Sequence, residues 1–381
     1  MTKASYSGLE LPAWDLFSIS GGVAWLNSAY LGARAIPVAE AVAAAVNRPL
    51  SEVEVSDFFT PGDRMRQLFS TLVGGDPDGV ALIPSASYGV ATAASALGTG
   101  PGDKVLMLDE QFPAMVYPYT ERGAEPVFVK RPLDDDWTAA VLDRLDESVS
   151  VVSAPACHWT DGTRLDLAVV GKAAREVGAR LVVDLSQSLG MAPFDARAIR
   201  PDFVVCVGYK WLLGPPGMSY LWASPDNRDG RPLDANWMAR AGSEDFSRVN
   251  EYRWELASSA RRYDAGQTWN LWLTEAACSG LEIMTGVGAD RLQAYTRLLT
   301  DHLAEEAGAL GLAAPSPWVR SAHLVGLRLP EGADPRSLVA ELAERKVHVS
   351  LRGNSVRVSA HMWNTRDDID RLLEGLAAWV G

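Results

Sequence analysis

Cysteine is scarce in this chain of 381 residues: there are three, widely scattered. That excludes a disulfide framework and offers no metal-ligand spacing, so no metal site is expected. Cations are outnumbered, 35 Lys and Arg against 48 Asp and Glu, for a net charge of −13. Such a balance disfavours nucleic acid and anionic membranes as partners. No apolar run reaches the about 18 residues of a spanning helix. Residues 1–10 lack the apolar core of a signal peptide. Together these absences lead us to expect a soluble cytoplasmic protein. What the chain does have is core material. It is 48% hydrophobic, with 13 tryptophans, enough for one or two domains.

The chain is organised around one stretch. The run Phe203-Val204-Val205-Cys206-Val207 reads as a buried strand and leads through Gly208 and Tyr209 into Lys210. Gly214, Pro215, Pro216 and Gly217 lie beyond and can neither extend the strand nor start a helix. A lysine held there loses solvation, its pKa falls, and its neutral amine can condense with a carbonyl. Upstream, Arg180-Leu181-Val182-Val183-Asp184 is a second apolar strand, ending in a carboxylate 26 residues before the lysine. A pyridoxal phosphate site needs such a pair. The amine holds the aldehyde, and the carboxylate keeps the pyridine nitrogen protonated so that the ring accepts electrons.

The rest of the chain alternates strands and helices from about residue 80 to 223, which predicts a mostly parallel sheet. Helices are expected over 37–46, 63–72 and from residue 90. Strands are expected over 80–84, 104–109, 126–130 and 148–153. The small-residue turn Ser85-Ala86-Ser87-Tyr88-Gly89 joins a strand to a helix N-terminus, where free N–H groups bind anions. Ser87 and Tyr88 add hydroxyls. His158 follows another strand end, in a chain with five histidines. Ligands in such sheets sit at the carboxyl ends of strands. Ser87, His158, Asp184, Gln187 and Lys210 all fall at such ends. Two long helices, 271–284 and 289–310, lead to strands over 321–329 and 347–358 and helices over 335–345 and 367–379. Asp334 suits the N-cap of the first of these.

On the strength of Tyr209-Lys210-Trp211, 85–89, 261–270 and 355–365, the chain resembles the class V aminotransferases of pyridoxal phosphate fold type I. That family includes cysteine desulfurases, kynureninases and isopenicillin N epimerases, and the closest local likeness is to the last. The resemblance implies an α/β fold. A large domain with a mostly parallel seven-stranded sheet covered by helices would span 21–270, after an N-terminal arm at 1–20. A linking helix and smaller C-terminal α+β domain would span 271–381. It further implies that His158 stacks on the pyridine ring, with Trp159 behind it. Ser87, Tyr88, Gln187 and Tyr209 would help hold the cofactor. Arg357 would bind the substrate α-carboxylate through a bidentate pair. Asn27 and Tyr30 would lie near that carboxylate, and Arg352 would face solvent. The 261–270 segment would reach the neighbouring subunit's phosphate in a homodimer, although Gln267 stands where a threonine is usual and Thr268 comes one later.

The expected reaction is on an amino acid through a Cα carbanion, an aminotransfer by family resemblance. A lyase, epimerase or β- or γ-replacement enzyme of secondary metabolism is the alternative, and a non-catalytic cofactor-binding regulator a further one. Desulfurases of the family use a cysteine on a loop before the carboxylate-binding arginine. No cysteine follows Cys278, so that persulfide route is not expected.

Overall fold

The computed structural model describes residues 6–330 and 335–380; Asp334 lies outside them. Its elements follow from burial pattern and capping. Strand β1 (Ala24–Trp25) comes first, then helices α1 (Ile36–Asn47) and α2 (Thr60–Val73). Strand β2 (Val80–Ile83) is fully buried and feeds α3 (Ala86–Ala96), which Ser85 caps by accepting from Tyr88 N–H. The cap starts this helix four residues earlier than the alanine run alone suggests. Strands β3 (Lys104–Leu108) and β4 (Glu125–Val129) precede α4 (Trp137–Arg144). Then come β5 (Val149–Pro155), α5 (Leu167–Glu176), β6 (Arg180–Asp184), β7 (Phe203–Val207) and β8 (Ser219–Ala223).

These strands form one seven-stranded sheet in the order β2-β8-β7-β6-β5-β3-β4. Only β8 runs antiparallel to its neighbours. β3 and β5 are neighbours, yet the chain runs from β3 outward to β4 and from β5 the other way through β6 and β7. Loops leaving β3 and β5 therefore diverge at their carboxyl ends and leave a crevice between them. The central strands read as continuous β-branched runs because helices cover both faces.

Helices α6 (Leu271–Val287) and α7 (Ala289–Ala309) carry the chain to a second unit. There β9 (Leu324–Arg328), α8 (Pro335–Glu344), β10 (Val347–His348), β11 (Ser350–Arg352), β12 (Ser355–Ser359) and α9 (Arg366–Val380) follow. The sheet order is β11-β12-β9, antiparallel throughout. The strand expected over 347–358 is thus three short strands, with a turn at Gly353 where φ is +55°. β1 pairs in parallel with β10, and Ala24 and Leu26 belong to the C-terminal hydrophobic core. Residues 24–27 therefore pack with the C-terminal unit, although they precede the large sheet in sequence.

A ring stack joins the two units. Trp211, just past Lys210, is stacked on His361 at 5.7 Å, and His361 on Trp363 at 4.4 Å. His361 donates from Nε2 to Trp211 O (3.2 Å) and accepts from Met362 N–H at Nδ1 (2.7 Å). His323 lies edge-on to Trp211 and donates to Gln187 O. Burial pushes the His323 imidazole down to about 4 and that of His361 to about 3. Both are neutral parts of the packing.

An unfolded histidine titrates near about 6.5, so below that pH the unfolded chain binds protons the folded chain refuses. This contribution to stability is complete above about pH 6.5 and declines as pH falls. Between about pH 7 and about pH 5 it should cost about 2 kcal/mol per imidazole, read as a lower urea midpoint. His361→Gln, which keeps a donor for Trp211 O, should flatten that pH dependence.

Candidate active site

Lys210 sits three residues past β7 on a turn that returns to the sheet. Gly208 N–H donates to Met218 O (3.1 Å), and Gly214 N–H donates back to Gly208 O (2.9 Å). The side chain is 8% exposed, and its Nζ lies 5.6 Å from the Phe112 ring and 5.8 Å from that of Tyr209. No carboxylate forms an ion pair with it among the described residues. Burial pushes its pKa down to about 8; Asp184 opposes this, while Arg357 and Arg352 add to it. About a tenth of this amine is therefore neutral at about pH 7, against well under a thousandth of a free lysine.

Asp184 ends β6, one strand away from the lysine. Ser186 N–H donates to its Oδ1 at 2.7 Å, and burial raises its pKa despite that bond and the nearby Lys210. Gln187 is held at both ends. Its Nε2 donates to Ala29 O (3.1 Å), and its Oε1 accepts from Trp211 Nε1 (3.0 Å). Asp184 and Gln187 line a small cavity with Gln111, Phe112, Cys157 and Trp159. It lies in the crevice between the loops after β3 and β5. Gln111 Oε1 is buried there without a partner.

His158 is one expected residue whose surroundings differ. Its backbone is tied into a tight turn, His158 N–H to Thr163 O (2.7 Å) and Gly162 N–H to His158 O (2.9 Å). The turn swings the ring onto Trp137, stacked at 5.3 Å and 11°. Nε2 donates to Asp109 O (3.1 Å), which leaves Nδ1 to accept from Thr160 Oγ1 (2.7 Å) and Arg131 (3.4 Å). Burial holds the imidazole below its usual range. His158 thus braces the β3 loop against the β5 loop, and it is Phe112 that presents a ring face close to Lys210. The Gln111–Tyr119 region is recognisable in sequence as near the site. Nothing there singles out Phe112, because its role depends on the loop after β3 bending toward β7.

The C-terminal sheet docks on the same turn. Gly326 N–H donates to Asp161 O (2.9 Å), and a Cβ on Gly326 would lie 2.6 Å from that of Asp161. This close approach brings β12 over the crevice. Arg357 is 1% exposed and donates from Nη1 to Trp159 O (2.8 Å); its Nε and Nη2 are buried without partners. Burial, helped by Arg352, pushes its pKa down to about 9. The solvent-facing placement expected for Arg352 is not what is found. It is half-buried, its guanidinium lies 5.3 Å over the Trp159 ring, and its Nε has no partner. The hairpin register explains this, since Arg352 and Arg357 project from one face of the small sheet.

The N-terminal segment closes the other side. Asn27 is buried and accepts from Ser350 Oγ; Tyr30 is 58% exposed and interacts electrostatically with Tyr209 and Arg352. At the far end, Ser85 Oγ and Ser87 Oγ are 3.0 Å apart at the start of α3. The Tyr88 hydroxyl is buried without a partner, and burial pushes it up to about 12. Gln267 has φ +62° and lies with Thr268 in a surface turn before α6. No hydrogen bond among the described residues ties either side chain to the Lys210 cluster.

Known proteins resemble this chain in sequence and in fold. The family model "Aminotransferase class-V" matches residues 39–372. An isopenicillin N epimerase of Streptomyces clavuligerus is 27% identical over 83% of this chain and 84% of its own. An uncharacterized aminotransferase of Bacillus subtilis is 25% identical over 82% of each. In fold, the chain superposes on the apo cysteine desulfurase of Thermococcus onnurineus NA1 with a TM-score of 0.83 at 17% identity, covering 98% of this chain and 99% of that one.

The site makes one lysine chemically distinct. In reductive methylation with formaldehyde, read by peptide mass spectrometry, Lys210 should react with a midpoint of about pH 8. Surface lysines should follow at about 10.4. Asp184→Asn removes the anion that raises the Lys210 pKa, so the Lys210 midpoint should move lower still. A midpoint among the surface lysines would contradict the buried amine.

Proposed function

The chain belongs to the class-V aminotransferase family, and from that premise we propose that it is a pyridoxal-phosphate-dependent enzyme acting at Cα of an amino acid, with aminotransfer as the first reading. The observation that carries this is a set of three buried charges, Asp184, Lys210 and Arg357, none of them closed in an ion pair. Unpaired buried charges are costly and are kept where a ligand completes them.

The donor set suits the cofactor: a buried amine, a buried carboxylate on the neighbouring strand, an aromatic face at Phe112, and a capped helix start with Ser87 and Tyr88 for the phosphate. Once bound, pyridoxal phosphate supplies an electron sink for the pair left when a bond to Cα breaks. Lys210 Nζ would hold the carbonyl carbon until the substrate amine displaces it, and the freed amine, neutral above about pH 8, would accept the Cα proton. Asp184 holds a proton at the ring nitrogen; that positive partner would reverse the upward push on its carboxyl. Arg357 Nε and Nη2 take the substrate α-carboxylate, with Asn27 and Tyr30 beside it. Gln187 and Tyr209 frame the ring, and His158 acts through the loops it braces.

A lyase or an epimerase would use the same groups, and the relatives include both an aminotransferase and an epimerase by name. A thiol-based desulfuration has no candidate nucleophile. Burial pushes Cys157 and Cys278 up to about 12, and Cys206 well above its usual value. We further propose a cytoplasmic homodimer with a large unit at 21–270, of which residues 24–27 pack with the small unit at 271–381. Tyr252 and Trp254, 84% and 83% exposed, are suited to a partner surface. Gln267 or Thr268 would then reach the partner's phosphate.

Borohydride reduction of the purified protein should fix a pyridoxyl group on Lys210, and a label on another lysine would overturn the assignment. A spectral screen against amino acids with product identification separates the reactions: keto acid with the pyridoxamine form for aminotransfer, ammonia with pyruvate for β-elimination. Asp184→Asn should retain cofactor and lose most turnover. Arg357→Ala should raise KM about ten- to a hundredfold with cofactor content unchanged, the loss of a charge-assisted bidentate pair of roughly 1.5–3 kcal/mol. Light scattering should report a dimer at working concentration.

A further inference from the structure

Arg357 has a natural partner in the α-carboxylate of an amino acid; Arg352 has none. In the hairpin, Ser350 faces Arg357 and Arg352 faces Ser355. Side chains alternate along a strand, so residues 350, 352, 355 and 357 share one face. Both guanidinium groups converge on Trp159: Arg357 donates to its carbonyl, and Arg352 lies over its ring. The same indole is edge-on to Phe112 at 5.3 Å, and Phe112 faces the Lys210 amine. Lysine, Phe112, Trp159 and Arg352 therefore form one continuous wall.

Electrostatics along that wall are unbalanced. Arg352 donates from Nη1 to Leu351 O (2.6 Å), its Nε is buried and unpartnered, and no carboxylate pairs with it among the described residues. Two arginines and a lysine face one aspartate, in a chain with 13 more acidic than basic residues. Like charges gathered in a crevice repel, and the surrounding acidic surplus has not been used to relieve them. An anion arriving with the substrate relieves them, and a single carboxylate held by Arg357 leaves Arg352 unanswered.

We propose that the substrate is an α-amino acid with a second carboxylate on its side chain, which Arg352 binds over Trp159 while Arg357 holds the α-carboxylate. The assignment rests on Arg357 as the α-carboxylate anchor. A planar fork stacked on an aromatic face is preorganised for a carboxylate in a way an ammonium is not. Arg352 is then a specificity-determining residue for the side chain.

The test is calorimetric titration of the holoenzyme with unreactive chain-matched pairs, butyrate against succinate and valerate against glutarate. In the wild type, one dicarboxylate should bind at least about tenfold tighter than its monocarboxylate partner. Arg352→Gln should abolish that preference and leave monocarboxylate affinity within about twofold, with cofactor content unchanged. Arg352→Lys, which keeps charge without the fork, should restore part of the preference. Arg357→Gln should weaken both classes. The proposal is overturned if the wild type does not discriminate. It is also overturned if Arg352→Gln weakens both classes alike, which would mean one carboxylate bridges the two arginines, or if that variant sheds cofactor, which would make Arg352 a phosphate ligand. If instead Arg357→Gln leaves both classes unaffected, the underlying anchor assignment fails, and the proposal falls with it for that separate reason.

Discussion

Desolvation of charge is the constraint on which the rest of the molecule depends. An amine, a carboxylate and a guanidinium are held out of water within one crevice, and none is neutralised by a salt bridge. Each such burial opposes folding by several kcal/mol. The chain tolerates it because the groups sit on or just beyond rigid strands that cannot relax to let water in. Lys210 is fixed by the Gly208–Gly214 turn, Asp184 by the Ser186 N–H, and Arg357 by its place in the central strand of a three-stranded sheet. The same burial that opposes folding lowers the pKa of the amine and leaves two nitrogens of the guanidinium without partners.

Rigidity at the site is obtained largely from apolar and aromatic contacts rather than from ion pairs. Trp211 follows Lys210 directly, and its indole is locked by Gln187 at the edge and by His361 and His323 around the ring. Because both histidines are neutral, the packing carries no further charge into an already unbalanced region. The link runs from the C-terminal unit to the residue beside the buried amine, so the small unit helps set the position of Lys210.

Most of this was legible in sequence where the signal was local. Apolar runs ending at Asp184 and at Val207, three residues before Lys210, marked both strands to the residue, since a buried parallel strand is apolar almost throughout. The serine-rich stretch at 85–89 pointed to a helix start, which falls at Ala86 rather than at residue 90 because Ser85 caps it. Legibility failed where placement depended on how distant loops fold back. His158 follows a strand end as expected, yet a five-residue turn rotates its ring onto Trp137. Phe112 carries no motif, because nothing adjacent to it in sequence shows that its loop bends toward β7. Arg352 stands next to a Gly-Asn turn, a setting that normally means solvent. Only the hairpin register, fixed by pairing of Ser350 with Arg357, turns it to the same face as its neighbour.

The N-terminal segment has a mechanical consequence. Trp25 is hydrogen-bonded into the β1–β10 pair of the small unit, and seven residues later Gly32 N–H donates to Tyr209 O (3.1 Å) on the large one. A Cβ on Gly32 would fall 2.1 Å from Lys210 O, so this end of the segment lies hard against the lysine turn. Seven residues of chain extend at most about 25 Å. The segment is therefore a leash of fixed length between the two units. It bounds how far they can swing apart while both anchors hold, and a wider excursion must either strip Ala24 and Trp25 from the small sheet or drag the lysine turn out of register.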